Sequence, residues 1–250
     1  MINFLFKIRN YFKYPAKVSQ RVLNSTMTFK VYNPIEEDRV IGSNSEIDFT
    51  IEIISELQPT DTYFDIGSCI GFTAIAAAKN QRCRVFAFEP DRELAGHLRH
   101  NIELNGVADK IQVNEWAVSD TDGTIDFFTS GAAGASPSLA QTQNQSNKVT
   151  VQTRTIDTAV KDNTLVHPSV IKLDIEGAEL MALKGMKNVL GSPNPPRTIF
   201  IESHPAFMTH FNHTVDMLRN FLSEHHYREE YVKKRGDEFH HKFVNVLATS

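Results

Sequence analysis

The sequence predicts an α/β domain built on an open, mostly parallel sheet, and three observations carry that expectation. Short apolar runs at Tyr63–Ile66, Arg84–Glu89, Ile111–Trp116, Val170–Ile175 and Thr198–Ser203 read as core strands. Helical stretches separate them, which implies parallel strands joined by right-handed crossovers. Polar residues collect where those runs end, at Asp65, Glu89, Asp174, Glu176, Glu202 and His204, and in such a sheet a ligand lies outside the strand carboxyl ends.

Taken in order, residues 1–17 mix aromatics with Lys7, Arg9, Lys13 and Lys17. The stretch lacks the apolar core and cleavage site of a secretory signal. It is expected to cap the domain or meet a partner subunit, with a membrane surface as the alternative. Pro15 to Pro34 alternates loosely and reads as a strand pair or irregular cap. From Ser45, the residues Ile47, Phe49, Ile51, Ile53, Ile54 and Leu57 recur at helical spacing until Pro59, so a helix delivers the chain into the first core strand.

Gly67 and Gly71 then let the backbone turn sharply. Phe72–Ala78 reads as a helix whose free N–H groups point back at the turn. Asp91–Asn105 is the next helix, buried through Leu94, Leu98 and Ile102 and closed by Asn105-Gly106.

After Asp120 the rhythm breaks. Ile125–Phe128 and the alternating Val149–Ile156 read as paired strands. The stretch 130–147 between them, poor in large apolar residues, reads equally as a flexible connection or as a lid over substrate. Ala178–Leu190 is expected as one helix and Met217–Phe221 within another. Tyr227–Val232 and Phe243–Leu247, around Arg235-Gly236-Asp237, form a hairpin that can finish the sheet with an antiparallel strand. The pairs His225-His226 and His240-His241 are expected on its surface. Domain organisation is read as an N-terminal cap or extension over 1–45 and the main domain over 46–250.

With 250 residues the chain can bury one substantial core, and a net charge of −4 with a pI near 6.2 leaves no basic surplus for nucleic acid. A small or neutral substrate is expected instead. Cys69 and Cys83 make neither a disulfide framework nor a zinc pair, which points to the reducing cytoplasm.

The turn carries the chemistry. Its glycines are separated by Ser68, Cys69 and Ile70, which misses the G-x-G-x-x-G spacing of a dinucleotide fold and disfavours an NAD-linked oxidoreductase. Asp65 beside the turn would repel a pyrophosphate but suits a cation. S-adenosylmethionine, with a sulfonium, an amino-acid end and an adenosine, fits that pattern. Gly67, Ser68, Gly71, Glu89 and Pro90 are the candidate cofactor residues, Glu89 taking the ribose hydroxyls. Adenine would border Trp116 or Ala117 by apolar contact and Ser119 or Asp120 by hydrogen bonding. Asp174 and Glu176 face either the cofactor's ammonium and the reactive centre or a divalent cation. Because such acids are common without a metal, no metal ligand set is assigned. His204, directly after a core strand, is the best placed general base, with Glu202 to orient it and Asp174 as the other candidate.

Together, Asp65–Gly71, Phe86–Asp91, Asn101 with Leu104–Gly106, Ala117–Asp120, Arg154–Asp157 and Ile171–Glu179 resemble the FkbM family of S-adenosylmethionine-dependent methyltransferases. The Lys172–Glu179 block is the most specific part. The resemblance implies a seven-stranded class I methyltransferase fold, Rossmann-like, mostly parallel with an antiparallel C-terminal strand and helices on both faces. It also implies O-methylation of a hydroxyl on a sugar, glycan or natural product. Ser68-Cys69 stands where the family commonly has Ala-Asn. A cofactor-binding module without turnover is the alternative from another functional class.

Overall fold

The computed structural model describes residues 13–42, 44–129 and 147–247. Most of the N-terminal aromatic segment and all but the last residue of the 130–147 stretch lie outside the described residues.

A hairpin of β1 (Ala16–Val22) and β2 (Ser25–Val31) opens the fold, where a strand pair or irregular cap was expected. It leads into α1 (Pro34–Ile41), a helix the apolar spacing does not announce. Asn33 caps α1 by accepting the Ile35 and Glu36 N–H groups. α2 (Asn44–Glu56) follows, then β3 (Thr62–Ile66), α3 (Phe72–Asn80), β4 (Arg84–Phe88), α4 (Arg92–Leu104) and β5 (Ile111–Asn114).

The third core strand is shorter than the sequence suggests. After Asn114 the chain leaves the main sheet, and β6 (Ala117–Val118) joins β7 (Gly123–Thr129) and β8 (Asn147–Arg154) in a separate three-stranded sheet ordered β6-β8-β7. α5 (Ile156–Lys161) and β9 (Val170–Leu173) return to the main sheet.

The expected single helix over 178–190 is two helices, α6 (Glu179–Lys184) and α7 (Lys187–Leu190). The break has a tertiary cause. A Cβ on Gly185 would stand 1.9 Å from the Ser119 carbonyl oxygen, so only glycine permits that approach. The Asp157 carboxylate restarts the helix by accepting the Asn188 and Val189 N–H groups at 3.0 and 2.9 Å. β10 (Thr198–Ser203), α8 (Pro205–Met208), α9 (Val215–Glu224), β11 (Tyr227–Arg235) and β12 (Glu238–Asn245) complete the chain.

The main sheet has seven strands ordered β11-β12-β10-β9-β3-β4-β5, with β12 antiparallel to both its neighbours and the β10-β9-β3-β4-β5 pairs parallel. Side chains alternate across it. Tyr63, Val85, Ala87, Val170 and Phe200 pack on one face with α2, α3, α4 and the N-terminal hairpin. Phe64, Ile66, Phe86, Phe88, Ile171, Leu173, Ile199 and Ile201 pack on the other with α5 to α9. Both faces are covered, as a parallel sheet requires.

Because β12 slots between β10 and β11, its histidines are not on the surface. His241 is wholly buried, 2.8 Å from the Ser203 hydroxyl and 2.7 Å from a Glu229 oxygen. His240 is buried too and stacks on Phe49 with ring centroids 3.9 Å apart. No helix among the described residues is long and apolar enough to cross a membrane.

Candidate functional site

The ends of β3, β4 and β9 converge on an open cleft at the carboxyl edge of the sheet. The glycine turn shapes one wall. Gly67 (φ +86) and Gly71 (φ +94) hold left-handed backbone. A Cβ on Gly67 would lie 1.8 Å from the Asp174 carbonyl oxygen, and one on Gly71 would lie 2.4 Å from Leu98 Cδ1. The glycines therefore let the turn nest against β9 and α4.

Of the residues assigned to the cofactor, Gly67, Glu89, Pro90, Ala117 and Asp174 line this cleft. Ser68 works from behind: its hydroxyl donates to the Asp65 carbonyl at 2.6 Å and accepts the Phe88 N–H at 3.1 Å, tying the turn to β4. Asp65 is wholly buried, and its carboxylate stands 3.2 Å from the Lys172 ammonium. Trp116 and Ala117, expected to border adenine by apolar contact, both line the cleft together with Val118, whereas Ser119 and Asp120 are not among the cleft-lining residues.

Glu89 ends β4 with both carboxylate oxygens engaged, Oε2 accepting the Cys69 N–H at 3.0 Å and Oε1 the Asp91 N–H at 2.9 Å. Each oxygen retains a second lone pair for a ribose hydroxyl. Burial pushes the Glu89 carboxyl up to about 7, and the two N–H groups oppose that rise.

S-adenosylmethionine fits what is present. Phe88, Leu94, Trp116 and Val118 give an apolar slot for a base, Glu89 lies between, and Asp174 and Glu176 supply negative potential for a cation.

Arg39 was not singled out from the sequence, and Lys172 entered only as the first residue of the Lys172–Glu179 block, with no role given to it. Lys172 is buried in β9, 3.2 Å from Asp65 and 3.3 Å from Asp174, and donates to the Gly67 carbonyl at 3.2 Å. A lysine set between Val170-Ile171 and Leu173 was the available signal, since lysine is seldom buried unless paired. Arg39 comes from α1, the helix missed in the sequence, and lines the cleft from the N-terminal side.

A second hollow, open to solvent, adjoins the first. Asp174, Glu176 and Arg39 line both, and Asp38, Glu46, Glu202, His204, Arg235 and Glu238 line only the second. Gly177 brings its parts together: at φ +97, a Cβ there would lie 2.6 Å from the Phe207 backbone, so α8 packs directly on the turn after β9.

His204 is 5% exposed. Its Nδ1 bonds Glu179 Oε1 at 3.2 Å, while Nε2 stands 3.7 Å from Asp174 Oδ1, 3.7 Å from Glu176 Oε2 and 3.8 Å from Glu238 Oε1. Burial alone would lower its pKa, but the bond to Glu179 and the charges of Glu176 and Asp174 outweigh it and raise the imidazole to about 10. At neutral pH it is a cation among carboxylates, with no lone pair ready to accept a proton. Glu202 does not orient it: Glu202 Oε1 accepts from Arg235 at 3.0 Å and Oε2 lies 3.3 Å from His240.

The sequence matches the Methyltransferase FkbM domain over residues 65–229. It is 29% identical over 176 residues to the hexuronic acid methyltransferase AglP of Haloferax volcanii, covering 70% of each chain. It is 30% identical over 156 residues to the 2-O-methyltransferase NoeI of Sinorhizobium fredii, covering 56% of this chain and 63% of that one. Among solved structures, the ribosomal protein L11 methylase of Lactobacillus delbrueckii subsp. bulgaricus superposes with a TM-score of 0.50 at 12% identity, over 82% of this chain and 80% of that one. That likeness is one of fold, the class I methyltransferase fold. The family match spans most of the sheet and the cleft at its strand ends, and the chain belongs to the FkbM family of S-adenosylmethionine-dependent methyltransferases.

Proposed function

We propose that this enzyme O-methylates a hydroxyl of a sugar or glycan. One observation carries the reading: Asp174 and Glu176 line both hollows, so the cationic end of a ligand in the first meets whatever fills the second. The second hollow is rimmed mostly by ionisable side chains, which suits a polyhydroxylated acceptor better than an apolar one. The names of AglP and NoeI support a sugar as the acceptor class.

S-adenosylmethionine supplies an electrophilic methyl group on sulfur. In this reading Gly67, Glu89, Pro90, Ala117 and Asp174 hold it, while Asp65, Ser68 and Gly71 fix the turn behind it. Catalysis rests mainly on holding the acceptor oxygen close and desolvated. In this reading Asp174, kept ionised chiefly by Lys172 and His204 against the cost of burial, takes the hydroxyl proton. Glu176 and His204 shape the acceptor side.

The test is transfer of labelled methyl from S-adenosylmethionine to a panel of free sugars and glycans that includes hexuronic acids. Base-stable label on a sugar is expected, with turnover reduced in His204→Ala although that variant still retains the cofactor. A protein that retains the cofactor yet labels no sugar would sink the reading.

A further inference from the structure

The family match begins at residue 65, and among the described residues ahead of it only Arg39 of α1 lines the cofactor cleft. We propose that the Arg39 guanidinium holds the carboxylate of the S-adenosylmethionine amino-acid end while Asp174 faces its ammonium.

The charges already in the cleft create the need. Glu89, Asp174 and Glu176 line it, and a ligand carboxylate entering among three acids requires a counter-charge. Arg39 is the one basic side chain among the described residues that line the cleft. His204 and Arg235 line only the second hollow. Lys172 lines neither, and its ammonium lies against Asp65, Asp174 and the Gly67 carbonyl.

The glycine turn does not supply the donors. The Gly67 and Ser68 N–H groups both donate to the Phe88 carbonyl, at 3.1 and 3.0 Å. The Cys69 N–H donates to Glu89 at 3.0 Å and the Gly71 N–H to the Ser68 carbonyl at 2.8 Å. Ile70, and Phe72, Thr73 and Ala74 at the start of α3, do not line the cleft. A turn that spends its N–H groups on its own fold leaves the anion to a side chain.

α1 is anchored where it can serve. Glu36, wholly buried on the same helix, accepts the Tyr32 N–H at 2.9 Å and bonds His97 Nδ1 of α4 at 2.9 Å. The Tyr32 and His97 rings stack with centroids 3.8 Å apart. Leu94 of α4 lines the cofactor cleft, so the helix that anchors α1 is also a wall of the cleft. A guanidinium carries five N–H donors in a planar fork, so Arg39 can serve a neighbouring acid of the protein and a ligand carboxylate together. Arg39 and Asp174 line both hollows, and a ligand end held between them sets the direction of the methyl toward the acceptor side. The assignment rests on the cofactor placement above and not on the sugar acceptor.

Decarboxylated S-adenosylmethionine keeps the sulfonium and the ammonium, so it isolates the carboxylate. In calorimetric titration, wild type should prefer S-adenosylmethionine over it by about tenfold or more, and Arg39→Gln should bind the two within about twofold of each other. Arg39→Lys, with the charge but not the fork, should keep only part of the preference. 5′-Methylthioadenosine, which lacks the amino-acid end, should bind wild type and Arg39→Gln alike. A wild type without the preference, an Arg39→Gln protein that retains it, or an Arg39→Lys protein equal to wild type would overturn the role. So would an Arg39→Gln protein, folded by its thermal melt, that loses all three ligands equally. A wild type that retains none of the three would instead remove the cofactor placement itself.

Discussion

Lys172 Nζ lies 3.2 Å from Asp65 Oδ1 beneath the glycine turn, and both side chains are almost wholly buried. Charges out of water need partners, and removing one of a buried set strands the rest. Lys172→Met should therefore destabilise the fold by about 3–5 kcal/mol, measured by urea unfolding. Adding Asp65→Leu to that variant should recover part of the loss. A single variant as stable as wild type would show that Lys172 does not hold the two acids.

The Glu89 carboxyl, pushed by burial from the ordinary 4.5 to about 7, gives two opposite pH effects. Its folded value exceeds its unfolded one, so its contribution to stability is fully present below the unfolded value and is lost as pH rises through about 7. Ribose hydroxyls need the ionised form as acceptor. Cofactor affinity should consequently rise from pH 6 to pH 8. In Glu89→Gln the pH dependence should vanish and the affinity fall by about tenfold or more. Calorimetric titration at the two pH values checks both, and a sloping profile in the variant would assign the effect to another group.

Gly177 pairs a left-handed backbone with the close approach of Phe207. Gly177→Ala should lower stability by about 1–3 kcal/mol and push α8 away from the turn after β9. Methyl transfer should drop more than cofactor binding, because His204 precedes α8 while Glu89 and the glycine turn lie elsewhere. Equal losses in both measurements would contradict that separation.

Asn105 treats the N-terminal hairpin as a strand would, accepting the Thr28 N–H at 3.0 Å and donating to the Thr28 carbonyl at 2.7 Å. Asn105→Ala should cost about 1–3 kcal/mol in urea unfolding, since it leaves part-buried backbone groups unpaired. A change within a few tenths of a kcal/mol would mean that water replaces both bonds.

The core strands were legible because each is an apolar run that ends in an acid or a turn. Glu89 and the glycine turn were legible because the chain brings them together over a single strand-helix-strand unit. Interruptions imposed from far along the chain were not. The Gly185 break depends on the Ser119 carbonyl, and the burial of His240 and His241 depends on β12 entering the sheet between two other strands. Candidate chemistry followed the same division. Asp174 and Glu176 are two residues apart and were read together, whereas the surroundings of His204 join that turn and Glu179 after it to Glu238 of β12, far along the chain. Without them the ring looked like a free base.

The carboxamide of Asn101 bridges two places that the sequence keeps far apart, accepting the Lys30 N–H of β2 at 2.8 Å and donating to the Ile70 carbonyl of the glycine turn at 3.2 Å. A guest that stiffens this turn should accordingly slow deuterium uptake at the Lys30 amide. The opening ribbon would then report remotely on occupancy of the cleft.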